Sequence, residues 1–180
     1  MKRTAIFLSL VALSATAWAQ GANSAEIEKA LMAAPAQQKE GATVVKWKPD
    51  HTYDTLKKGT NRLVCYDRSG FPGQQPFSVE CTSIANLDRE AQNLKFEAMG
   101  DKKQAMIDAA EKDGTRVKPE FGSVWYHLMG PDAEHARSHM TIAVPMATAK
   151  SLGLPDNPSQ GGVWIMNAGT TTAHIMTPGR

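Results

Sequence analysis

Cys65 and Cys81 lie sixteen positions apart, on either side of DRSGFPGQQPF, a stretch holding two glycines and two prolines in eleven residues. So many breakers exclude a regular element. Two thiols this close in a chain bound for an oxidising compartment predict one disulfide, which pins a tight loop and brings its flanks together. Closing a loop of about fifteen residues contributes on the order of 3 kcal/mol. A bridge would also remove both thiols from service as nucleophiles or metal ligands; two buried free thiols are the alternative.

The oxidising compartment is inferred from the N-terminus. Lys2 and Arg3 form a positive n-region, Ala5 to Ala15 an apolar h-region, and Ala17-Trp18-Ala19 a small-x-small cleavage site, so residues 1–19 read as a signal peptide. The apolar run is too short to cross a hydrocarbon core of ~30 Å, and no cysteine follows to carry a lipid. A periplasmic or secreted protein is expected, with no membrane span after cleavage. Of the 180 residues, 161 would remain, enough for one domain with a real core. Without Lys2 and Arg3 the 20 basic residues fall to 18, equal to the 18 acidic ones. No stripe of Lys and Arg is present to replace counterions along phosphates, which argues against nucleic acid as a partner.

The periodicity changes along the chain. Asn23-Ser24 before Glu26 and Glu28, with Ile27, Leu31 and Met32 at helical spacing, predicts a short helix ending at Pro35. From Ala42 to Asp67, ATVVKW, TYDTL and NRLVCYD predict a three-stranded antiparallel meander. Ile84, Leu87, Ala91, Leu94, Ala98, Met106, Ala109 and Ala110 recur at three- and four-residue steps, which predicts a helical segment over about 84–113. It is either broken near Gly100 or kinked, and Gly114 ends it. Strands are expected at 122–129 and 140–145, with a helical turn started by Pro131 between them. A short helix near 147–152 and the loop GLPDNPSQGG precede a closing hairpin, VWIMNAGTTTAHIM, which turns at 167–169. Strands, helices, then strands without βαβ alternation predict a single α+β domain on a mainly antiparallel sheet. Trp47, Trp125 and Trp164, each in a strand, are expected to build its core face.

The segment HLMGPDAEHARSHM holds three of the chain's five histidines. His135 and His139 would share a helical face, as zinc ligation needs, but no H-E-x-x-H pattern accompanies them. His127 with Met129, His139 with Met140, and His174 with Met176 fall on or beside the late strands. If those strands are neighbours, imidazoles and thioethers from distant positions converge, and such a donor set suits copper or zinc. The plain alternative is methionine filling the core and histidine at a sheet edge. Ser69, Ser123 and Ser138 with His139 and Asp132 offer parts of a hydrolytic set but no G-x-S-x-G elbow, and no phosphate-binding loop occurs.

Two stretches, LKKGTNRLVCYDRSGFPGQQPFSVEC and SHMTIAVP with PSQGGVWIMNAGTTTAHIMTP, resemble a group of uncharacterised bacterial exported proteins. The shared pattern is Gly59-Thr60-Asn61 with Cys65, then Cys81, His139, and a terminal strand with Gly169-Thr170, Ala173-His174 and Met176. The resemblance implies the Cys65–Cys81 disulfide and singles out His139 and His174; it brings no activity, and it does not extend to His127 or His135.

Three functions are expected, in this order. First comes a monomeric domain that binds a small molecule or a protein partner on the late strands and the GLPDNPSQGG loop. Second is a soft-metal binder using His139, His174, Met140 and Met176. Third is a hydrolase with a histidine general base.

Overall fold

The computed structural model describes residues 23–178; the predicted signal peptide, residues 1–19, lies outside them. The domain is α+β, built on one eight-stranded mixed sheet in the order β2-β1-β3-β4-β5-β6-β8-β7. Its strands are β1 (Thr43–Trp47), β2 (Tyr53–Lys57), β3 (Leu63–Asp67), β4 (Phe77–Ser83), β5 (Val124–Gly130), β6 (Arg137–Ala143), β7 (Trp164–Met166) and β8 (His174–Met176). The expected first helix, α1, covers residues 23–30 and tightens into a 3-10 turn, Leu31–Ala33, ahead of Pro35. After one further turn, α2 (Ala36–Lys39), come α3 (Leu87–Glu97), α4 (Lys103–Asp113) and α5 (Ala149–Leu152). The central helical segment is thus two helices, parted at Gly100, and Gly114 closes α4 in the left-handed conformation at φ 77°.

The expected meander over 42–67 is corrected. β1 and β2 form an antiparallel hairpin, but β3 lies on the other side of β1 and runs parallel to it. The return passes across the start of β1 at Gly59-Thr60-Asn61. A Cβ on Gly59 would collide with the Gly41 carbonyl and the Ala42–Thr43 peptide, so only glycine lets the two backbones cross there. Thr60 and Asn61 donate their N–H groups to Gly41 O at 2.8 and 3.0 Å, and Asn61 Nδ2 donates to Gln38 O. Local hydrophobic alternation carries no information about which side of β1 the chain returns to.

β4 follows the Pro/Gly loop, and all of it except Ser83 is buried. No strand is read from the sequence at 77–83. β4 pairs with β3 so that Cys65 stands opposite Cys81. Arg68 N bonds Ser78 O and Ile84 N bonds Arg62 O; alternation along the ladder makes 65/81 a non-hydrogen-bonded pair, the closer of the two kinds. The Cα atoms are 4.0 Å apart and the disulfide is formed. Two further expectations change. Residues 131–135 bend without making a helical turn, so His135 and His139 share no helical face. The closing hairpin forms, but residues 167–173 connect its strands rather than three.

Each face of the sheet has one main cover. On one, α1 and its 3-10 turn place Ala30 and Leu31 against Val44, Leu63, Cys65 and Cys81. On the other, α3 lays Leu87 and Leu94 on Val45, Trp47, Val64 and Tyr66.

Candidate functional site

Beyond that apolar contact, the α3 face of the sheet turns polar. Side chains alternate across a strand, so the cross-strand row Tyr66–Glu80–His127–His139 shares one face. The row Trp125–Thr141–Met176 and the pair Ala143–His174 share it too. From α3, Arg89, Glu90 and Asn93 reach toward these residues, and Arg68 enters from the end of β3. Between them lies a cavity of about 200 Å³, lined by Glu90, Arg89, Trp125, His127, Thr141 and His174 among others.

Its walls hold more charge than buried surfaces normally tolerate. Arg68, with a side chain 5% exposed, serves three carboxylates: Glu90 Oε1 at 2.8 Å, Glu80 Oε2 at 3.4 Å and Glu97. Lys103 assists at Glu97 from outside, at 3.1 Å. His127 Nδ1 stands 3.1 Å from Glu80 Oε1. Several of these groups are close without being aligned: Glu90 Oε1, Arg68 Nε and His127 Nδ1 are buried and make no hydrogen bond within the described residues.

The carboxyls respond in opposite senses. Burial raises Glu80, but Arg68 and His127 outweigh it and hold the group well below the usual carboxylate range. For Glu90 burial wins over Arg68, with Glu80 adding repulsion, and the carboxyl is pushed up to about 7. One guanidinium cannot compensate three buried carboxylates, and the least served is the one that keeps its proton longest.

His174 is half-buried, and burial lowers its pKa despite the contact with Thr172. Its Nδ1 is 2.7 Å from Thr172 O. A carbonyl only accepts, so Nδ1 carries the hydrogen and Nε2 keeps a lone pair. His139 is also lowered, by partial burial and then by His127 and His174.

The four metal candidates do not gather at one point. His139, His174 and Met176 share the α3 face, but Met140 follows His139 directly in β6 and stands opposite Tyr126, on the α1 face. His174 pairs with Ala143, four residues along β6 from His139, an offset of roughly 13 Å at the usual strand rise. His139 instead stacks on His127, with ring centroids 5.8 Å apart. Among the described residues no group of three or more His, Cys, Asp or Glu is placed to hold a metal ion. The hydrolytic set is dispersed as well. Asp132 pairs with His135 at 2.8 Å, Ser123 donates to Glu120 O, and Ser69 bonds Ser78 N.

Most of this site escapes the sequence reading, which singles out none of Arg68, Glu80, Arg89 and Glu90. One signal was available. Glu90 stands three residues after Leu87 and four before Leu94, on the helix's own apolar stripe. Asn86, Arg89 and Asn93 form a second buried or half-buried row at the same steps. In β4 the polar members of SVECT, namely Ser78, Glu80 and Thr82, share the face that α3 covers. No protein-family model, no curated protein and no solved structure matches this chain.

Proposed function

We propose that this protein is an exported binding domain for a small polar molecule, held in the cavity between α3 and the late strands. One observation carries the reading: Glu90 Oε1, Arg68 Nε and His127 Nδ1, buried and without an aligned hydrogen-bond partner, belong to residues that line one cavity open to solvent on one side. Each such atom costs about 1–3 kcal/mol, and natural cores keep few of them. At roughly 30 Å³ per water, a cavity of about 200 Å³ has room for about six or seven waters, or for a small organic molecule in their place. The late strands supply much of the wall; the GLPDNPSQGG loop does not line it.

A copper or zinc role for His139 and His174 has less support, because their strand positions are offset and Met140 faces away. A hydrolase has the neutral His174 imidazole as a base but no serine hydroxyl among the cavity-lining residues.

The test is a titration of the purified ¹⁵N-labelled protein with a broad panel of small polar molecules, followed by NMR. Binding should move the Trp125 indole resonance, and Thr141→Leu, which fills the space, should abolish the response while leaving the circular dichroism unchanged. A panel that leaves Trp125 still, or moves it equally in Thr141→Leu, overturns the reading.

A further inference from the structure

The chemistry of the occupant follows from two opposite charges that share this cavity wall without bonding each other; the inference rests on the cavity being a binding site. Arg89 is 4% exposed, yet no carboxylate among the described residues lies within ion-pair distance of it. Its Nη1 donates to Val117 O and, at 3.3 Å, to Thr171 Oγ1, while Nη2 donates to Thr172 Oγ1 at 2.8 Å. A guanidinium has five N–H groups, so Nε and one hydrogen of Nη2 remain. Burial, then the neighbouring Arg116, lowers Arg89 to about 10, with Glu111 and Glu90 opposing only from a distance. This is the direction expected of a cation short of compensation.

Glu90 has the complementary deficit. Oε2 accepts from Asn93 Nδ2 at 3.0 Å, but Oε1 has no aligned donor, and Arg68 is divided among three carboxylates. A buried carboxylate with an unbonded oxygen and a guanidinium with two N–H groups to spare therefore line the same space. A simple anion would relieve Arg89 and worsen Glu90, and a simple cation would do the reverse. A molecule bearing both charges relieves both.

We propose that the cavity binds a small zwitterionic amino acid, its carboxylate on Arg89 and its ammonium on Glu90. The Thr141 hydroxyl and His174 Nε2 are further acceptors on the wall, and the Trp125 ring offers an apolar flank to the carbon skeleton. The volume admits such a molecule: a cavity of ~150 Å³ holds benzene, so about 200 Å³ takes a short amino acid.

Calorimetry and Trp125 NMR shifts at pH 7 and low salt test the proposal with glycine, L-alanine and 4-aminobutanoate, against propanoate, propylamine and propanamide. At least one amino acid should bind tenfold or more tightly than propanoate and propylamine alike, and the α- and ω-amino arms identify the charge spacing. Glu90→Gln should weaken the amino acid tenfold while sparing propanoate; Arg89→Met should erase the preference over propylamine. The fragment series on the unmodified protein does not depend on whether either variant folds. If propanoate or propanamide matches the amino acids, the zwitterion is overturned and the cavity reading stands. If no probe, and no member of the broader panel, moves Trp125, both fall.

Discussion

The two faces of the sheet are each covered by a helix, yet they are built from different materials. Under α1 the buried residues are alanine, leucine, valine and a disulfide. Under α3 an apolar contact of similar kind gives way to Arg68, Glu80, Glu90, Arg89 and His127 around a cavity. Burial turns into stability on the first face at roughly 25 cal/mol per Å² of apolar surface. On the second it is opposed by the desolvation of ions, which a core of fitted hydrophobes would avoid. A region that keeps charge where apolar residues would be more stable is where function is to be sought.

The contrast can be broken most directly at Arg68. Arg68→Met leaves Glu80, Glu90 and Glu97 buried around an apolar side chain, and should cost about 3–5 kcal/mol in urea unfolding at pH 7, with part of the loss recovered at pH 5 as carboxyls take up protons. A loss under 1 kcal/mol would mean that water reaches these groups and that the charged face is not truly buried. On the dry face, replacing both Cys65 and Cys81 by alanine should cost about 3 kcal/mol, with no recovery at lower pH.

Glu90 sharpens the comparison through its pH dependence. Its folded pKa of about 7 lies above the ordinary carboxylate value, so the folded state binds the extra proton and stability from this group falls as pH rises from about 4.5 through 7. Glu90→Gln removes that dependence and should gain on the order of 2 kcal/mol relative to the parent between pH 5 and pH 8. The half-buried His139 and His174, lowered in the fold, lose stability as pH falls below about 6.5 in both proteins, so their effect cancels in the difference. A constant difference between the two proteins across this range would place Glu90 in contact with solvent. The smallest effect belongs to the surface, where the exposed pair Lys46–Glu26 should contribute less than about 0.5 kcal/mol; a double-mutant cycle measures it.

How much was readable varies by element. Helical steps in Ile84 to Ala110 and the left-handed closure at Gly114 are local, and α3 and α4 follow from them. β4 was hidden by the breakers that precede it, although Ser78, Glu80 and Thr82 alternate with Val79 and Cys81. His139 and His174 do share a face, but histidine content says nothing about offset along neighbouring strands. The site rests on Glu90 and Arg89, whose buried placement depends on how α3 is rotated against the sheet.

By itself the sequence determined an α+β domain, its central helical segment and its cross-link, because periodicity and the closing of a short loop act over a few residues. Tertiary structure decided that β3 returns beside β1 in parallel, that Met140 turns from His139's side, and that carboxylates and guanidinia far apart in the chain share one cavity. Charge becomes costly only once water is excluded, and that exclusion exists in no segment until the sheet and α3 close on each other.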